Sequence, residues 1–234
     1  MPSVADAVAV VLAADVPVLF LDTCSILDVI RAPARSLIGC VEAATELYAM
    51  ATAAPPRCIL IAGSFVPTEW LDHDQGVLAD LIKHLDRMQD NASLFHSLCG
   101  HLGLPLGFGV PQYAASGIAA RLHDLSRSLR DTALVLDRHP DAIQRAYNRV
   151  AVTKRRPCRK GGELKDCTIF EEYLEACRLL GGGGFTRRMV FCTSNTEDYC
   201  APGVIPHADV ATDCGAVGLI FTTTLPWALM ELKK

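Results

Sequence analysis

Three short apolar runs, at residues 16–21, 58–62 and 188–193, do most to limit what this chain can fold into. None of them alternates apolar with polar residues. A strand with that pattern is buried on both faces, which is the habit of parallel sheets. A fourth such run lies at 217–222. Between them stand stretches of helical spacing. Residues 36–53 carry good helix formers and stop at Pro55-Pro56. A second helix is expected to start near Pro67 and run to about Asp90, because proline suits a first helical turn. A third is expected over 166–180. Strand and helix thus alternate, and the fold class is α/β. The expected architecture is a three-layer α/β/α sandwich with a mostly parallel central sheet of four to five strands. Its crossovers should be right-handed.

The middle of the chain departs from this rhythm. Residues 91–110 are rich in glycine and proline and read as irregular, and 112–151 hold two helical patterns broken near His139-Pro140. The whole chain, 1–234, reads as one domain with a helical insertion at about 91–152 and a basic loop at 153–162. Half of the residues are hydrophobic, enough to build a large core, while only 6% are aromatic. Aliphatic side chains and alanine should therefore dominate the packing. Ten cysteines are present and no two are spaced as C-x-x-C, which argues against a thiolate zinc site. Most sit in apolar runs, where cysteine acts as a small hydrophobe. The N-terminal apolar stretch carries Asp6 and Asp15 and no basic leader, and no apolar run reaches the 18 or so residues of a membrane helix. The expectation is a cytoplasmic protein with reduced thiols and no membrane partner.

The net charge of −4 argues against a uniformly nucleic-acid-binding surface, but the charge is unevenly spread. Residues 121–160 hold 11 of the 22 basic residues and four of the 26 acidic ones, a local balance of +7 against −11 elsewhere. Such asymmetry suits one face built for a polyanion, or an ordinary solvated helix face. Within it, Lys154, Arg155, Arg156, Arg159 and Lys160 form a basic loop, followed by Lys165. These six are the candidate nucleic-acid-binding residues, because phosphate approaching an acidic centre needs cations beside it.

In parallel α/β sheets, sites form beyond the carboxyl ends of the strands. Asp22 follows the first strand, Glu69 follows the second by a short turn, and Asp198 follows the third. Asp166 opens the helix that leads back toward that third strand. Each acid alone has an ordinary structural use: strand-end cap, first-turn acid, N-cap or Asx turn. Four carboxylates at one sheet edge repel each other unless cations lie between them. Oxygen ligands of this kind are what Mg2+ or Mn2+ prefer. Two such ions could activate a water and stabilise both oxygens of an in-line phosphoryl displacement. Glu163 is a loop acid that could stand in for Asp166. Glu171 and Glu172 point off the Asp166 face at 100° per residue and are expected to be solvated. The seven histidines form no HExxH pattern, and the GFG at 107–109 and the glycines at 181–184 read as loops.

Four segments carry a family resemblance. VLFLDTC at 18–24, SFVPTEWL at 64–71, GGELKDCTIFEEYL at 161–174 and VFCTSNTEDYC at 190–200 resemble, in order, the acid-bearing segments of the PIN domain, a metal-dependent ribonuclease fold. The last fits the family's T-x-N-x-x-D-[FY] pattern through Thr193, Asn195, Asp198 and Tyr199 and is the most specific. The resemblance covers about 16–90 and 161–222 and leaves 91–160 unexplained. It implies that Asp22, Glu69, Asp166 and Asp198 are both the metal-binding and the catalytic acids. It implies that Thr23, Thr193 and Asn195 stand just behind them. Cys24 departs from the asparagine or serine the family often has there, which weakens one supporting hydrogen bond.

The activity this implies is a Mg2+- or Mn2+-dependent endonuclease acting on RNA rather than DNA. Two other readings compete. One is an inactive PIN-like module that binds RNA or protein. The other is a haloacid-dehalogenase-like phosphatase, which would need a second Asp where Cys24 stands. The insertion offers a homodimer face, a substrate clamp or a regulatory cap, and a toxin role would bring an inhibitory or activating protein partner.

Overall fold

The structure is a computed structural model and describes residues 2–104, 106–107, 109–158 and 164–234. Helix α1 (Val4–Ala14) is closed at its start by a reciprocal capping box between Ser3 and Asp6. Strand β1 (Val18–Leu21) has all four side chains buried. It runs directly into α2 (Thr23–Arg35), and α3 (Ile38–Ala51) follows. Strand β2 (Ile59–Ala62) is again wholly buried, and α4 (Val66–His101) starts with Pro67 in its first turn. A short 3₁₀ turn (Ala114–Ser116), α5 (Ile118–Thr132), β3 (Leu134–Val135) and α6 (Pro140–Tyr147) come next. A wide helical turn (Asn148–Thr153) then leads towards α7 (Leu164–Gly182). The chain ends with β4 (Met189–Cys192), the helical turn α8 (Thr196–Tyr199), β5 (Cys200–Ala201), β6 (Ile205–Pro206), α9 (Ala208–Ala216), β7 (Leu219–Thr222) and α10 (Leu225–Leu232).

The central sheet has five parallel strands in the order β3-β2-β1-β4-β7, flanked by helices, as the three-layer α/β/α expectation requires. Because the chain runs outward from β1 through β2 to β3 on one side and from β4 to β7 on the other, the order reverses between β1 and β4. Crevices at such a reversal, beyond the carboxyl ends of the strands, are where ligands bind in open α/β sheets. Asp22 follows β1 and Thr193 follows β4, so both stand at that crevice.

Register explains the core beneath it. Phe20 pairs with Phe191, and Phe191 with Phe221, so three phenylalanines project from one face of adjacent strands. Phe170 and Tyr173 of α7, with Tyr199, cover that row. The ring pairs Phe20–Tyr173, Tyr173–Phe191 and Phe191–Tyr199 have centroids 5.0, 5.3 and 5.5 Å apart. Such tilted and edge-on pairs add roughly 0.5–1.5 kcal/mol each beyond their buried area. Few as they are, the aromatics thus concentrate on the α7 face. Aliphatic residues and alanine dominate the rest of the core, as in α2 and α3.

Two expectations about the middle region are corrected. The helix expected to stop near Asp90 continues to His101, so 91–101 is helical rather than irregular. Those turns carry only Gly100 as a helix breaker, and the glycine-proline cluster begins just beyond them. The insertion is also not purely helical, since its β3 extends the sheet alongside β2. Two residues of an apolar Leu-Val pair are too short for periodicity to signal. Among the described residues no helix is long and apolar enough to cross a membrane.

Candidate functional site

Asp22 caps α2: its Oδ1 accepts the backbone N–H of Thr23 at 2.8 Å. Its Oδ2 accepts the Thr193 hydroxyl at 2.6 Å and the Cys24 thiol at 3.0 Å. Cys24 in turn accepts the Ser194 N–H at 3.1 Å, so the thiol spans from Asp22 to the β4 exit and keeps the support that its weak hydrogen-bonding had put in question. Burial pushes the Asp22 carboxyl above its ordinary range, outweighing the hydrogen bonds from Thr193, Cys24 and Thr23. The side chain is therefore a structural cap and, at the same time, a buried acid whose charged form lacks a counter-charge.

Glu69 lies in the first turn of α4, where the helix dipole favours an acid. The Thr23 hydroxyl donates to its Oε2 at 2.7 Å. Thr23 thus serves two acids, with its amide on Asp22 and its hydroxyl on Glu69. Partial burial raises the Glu69 pKa first, the hydrogen bond opposes that, and the charge of Asp22 adds to the rise. His73 and Lys165 pull the other way. The charge of the exposed Lys165 thus reaches Glu69.

The other two acids meet through Asn195. This residue caps α8, accepting the Asp198 N–H at 3.4 Å. Its Nδ2 donates to Asp198 Oδ2 at 3.0 Å and to Asp166 Oδ2 at 3.4 Å. The Asn195 N–H also donates to the Thr193 hydroxyl oxygen at 3.1 Å. One hydrogen-bonded path therefore runs from Glu69 through Thr23 to Asp22, on through Thr193 to Asn195, and there forks to Asp166 and Asp198. Asp198 is buried, and its Oδ1 accepts no hydrogen bond among the described residues. Arg156 Nη1 lies 4.0 Å from that oxygen. An orphaned buried carboxylate oxygen is costly unless a cation or water meets it. The donor set is chemically right for Mg2+ or Mn2+, since it offers carboxylate oxygens and no thiolate. Among the described residues, though, no three His, Cys, Asp or Glu side chains converge as a ready ligand group. The hydroxyl and amide donors stand between the carboxylates and hold them in one network.

The strand ends below the acids are fixed by α7. The Tyr173 hydroxyl donates to Leu21 O at 2.6 Å and accepts the Gly63 N–H at 2.8 Å, bridging the ends of β1 and β2. Helical spacing puts Tyr173 on the same face as Asp166, seven residues earlier. Gly63 sits tightly here: a Cβ would meet Ile169 Cγ2 at 3.0 Å and Glu172 Oε2 at 3.1 Å, and those side chains would have to give by a few tenths of an ångström. Sequence reasoning missed both residues, although the i, i+7 relation to Asp166 was a usable signal for Tyr173.

Two expectations fail here. Glu171 and Glu172 are buried, not solvated. Pointing off the Asp166 face did not lead to solvent, because α6 and the segments around it cover the remaining faces of α7. Glu171 is met by Arg149 and by Arg145, whose Nε donates to Oε2 at 3.0 Å. Glu172 Oε2 accepts the Ser64 N–H at 2.8 Å, and burial raises its pKa. Second, Cys158 and Cys167, expected as thiols, are joined in a disulfide. Cys158 lies beside the first turn of α7, with the two Cα atoms 6.0 Å apart. The described basic candidates differ in their partners. Arg155 is held by Asp213 at 3.1 Å and Asp209 at 3.7 Å, and Arg156 donates through Nη1 to Glu197 O at 3.4 Å. Lys154 is exposed. Arg159, Lys160 and Glu163 lie outside the described residues. Compared with known proteins, the chain matches no family model, no curated sequence and no solved structure.

Proposed function

We propose that this chain is a divalent-metal-dependent nuclease of the PIN kind that hydrolyses phosphodiester bonds of RNA. The observation that carries the reading is the single hydrogen-bonded path joining Asp22, Glu69, Asp166 and Asp198 at the strand-order reversal. It ends at the buried Asp198, whose other carboxylate oxygen, Oδ1, meets no donor among the described residues. These four acids would hold Mg2+ or Mn2+, and the bound ions would supply a water activated for attack and charge to stabilise the phosphoryl oxygens. The chain's own groups do the rest. Thr23, Thr193 and Asn195 orient the carboxylates, each spanning two groups of the network. Cys24 ties Asp22 to the β4 exit. Arg156 at Asp198, with Lys165 beside Glu69, offsets the acids toward an incoming phosphate.

A second reading is a PIN-like module that binds RNA without cutting it. It is favoured by one observation, that no three potential ligands converge among the described residues. Labelled single-stranded RNA incubated with Mn2+, Mg2+ or EDTA separates the two. Metal-dependent cleavage lost in Asp22→Asn and Asp198→Asn supports the nuclease. Intact RNA under all three conditions, with binding retained, favours the module.

A further inference from the structure

Next to Asp198 the turn 153–156 and the start of α9 enclose a polar cleft of about 400 Å³. Its lining is Thr153, Lys154, Arg156, His207, Ala208 and Asp209. Lys154 stands at the turn with a left-handed backbone, φ 49°, and its side chain is exposed. Arg156 crosses from the cleft to the carboxylates, with Nη1 4.0 Å from Asp198 Oδ1. Its Nε is buried and accepted by no group among the described residues. Helix α9 begins at this cleft, and its N-cap, His207, makes no side-chain capping bond. The first-turn N–H groups and the positive end of the dipole thus have no side-chain acceptor from their own cap. One acid, Asp209, lies among these groups and is already engaged. It accepts the Arg156 backbone N–H at 3.3 Å and faces Arg155 Nε at 3.7 Å.

Two cationic side chains, an imidazole and a helix N-terminus around one small polar cleft are the donor set of a tetrahedral oxyanion. The lining holds no phenylalanine, tyrosine or tryptophan, and its cations and helix start suit a phosphate better than a base. We propose that it is a phosphate subsite, where Lys154, Arg156, His207 and the first turn of α9 hold one phosphodiester of a strand whose neighbouring linkage lies at Asp198. The assignment rests on the nuclease reading for its place beside the acids. It differs from a diffuse basic loop in two respects: it enlists His207 from outside the loop, and it leaves out Arg155.

The test is binding without turnover. Fluorescein-labelled single-stranded RNA is titrated in EDTA with wild-type protein, Lys154→Ala and His207→Gln, and with Lys83→Ala on the exposed outer face of α4 as control. Circular dichroism melts confirm that each variant is folded. Both cleft variants should bind several-fold more weakly, and in Lys154→Ala the slope of log K against log salt should become shallower by about 0.7, the loss of one charged phosphate contact on a single strand. The Lys83 variant should bind as wild type does. Equal affinity and equal salt slope in wild type and both cleft variants would overturn the subsite, and so would wild-type protein that fails to bind RNA. The two proposals fail separately. Cleft-dependent binding by a protein that never cleaves keeps the subsite and removes the nuclease. Cleavage by a protein whose cleft variants bind normally does the reverse.

Discussion

Replacing Tyr173 with phenylalanine isolates one oxygen atom that joins two strands beneath the acids. The ring keeps its contacts with Phe20 and Phe191, so no cavity opens. What is lost is the hydroxyl that donates to Leu21 O and accepts the Gly63 N–H. Burial holds this phenol well above its ordinary pKa, so it is a neutral donor throughout the working pH range. Its removal leaves one buried carbonyl and one buried amide without that partner. An orphaned buried polar group costs about 1–3 kcal/mol, and some relaxation is expected, so the pair should cost about 3 kcal/mol. For a chain of this length a loss of 1 kcal/mol lowers Tm by roughly 2–4 °C. The expected drop is therefore about 6–12 °C. Urea unfolding followed by circular dichroism gives the free-energy change directly. Tyr147→Phe on the exposed side chain of α6 is the control and should change stability by less than about 0.5 kcal/mol. If Tyr173→Phe is as mild as that control, the hydroxyl does not bridge the strand ends and the support drawn here for Asp22 is wrong.

Two further expectations concern the charges packed around α7. Arg149 is buried between Glu171 and Asp213, with Nη2 2.8 Å from Asp213 Oδ2, and its Nη1 donates to Arg156 O at 2.8 Å. Arg149→Met should cost about 3 kcal/mol in urea unfolding, the low end for a broken buried pair because Glu171 keeps Arg145. Adding Glu171→Leu should restore part of that loss, and a double variant less stable than the single one would contradict the pairing. Glu172 has its pKa raised chiefly by burial, with the Ser64 hydrogen bonds opposing. A raised folded pKa means its contribution is fully present below the unfolded value of about 4.5 and is lost as pH rises through the folded value. Glu172→Gln should therefore gain stability relative to wild type between pH 5 and 8. A difference that stays flat or shrinks over that range would refute the assignment.

The sheet was legible because its strands are buried on both faces and so carry unbroken apolar runs, as 18–21, 59–62 and 189–192 do. Asp22, Glu69 and Asp198 stood out because each follows a strand or the turn after it, and Asp166 because it opens a helix. What their sequence positions do not encode is how they are joined. Asn195 reaches both Asp166 and Asp198 only after α7 and α8 have packed side by side, a contact 29 residues long in sequence. The fate of Glu171 was hidden for the same reason, since helical geometry states where a side chain points and not what covers that direction. Residues 134–135 escaped notice because two apolar residues have no period. The link between Cys158 and Cys167 escaped because a spacing of nine residues matches no sequence rule.

The central claim is that the four linked carboxylates hold a divalent cation. Isothermal titration of MnCl2 into metal-stripped protein, beside Asp22→Asn and Asp198→Asn, tests it without reference to any substrate. The account predicts saturable binding by the wild type, with at least one equivalent of Mn2+, a rise in Tm on loading, and loss of both in each variant. Wild-type protein that binds no Mn2+ at millimolar concentration, or variants that bind it as well as wild type, would contradict the claim.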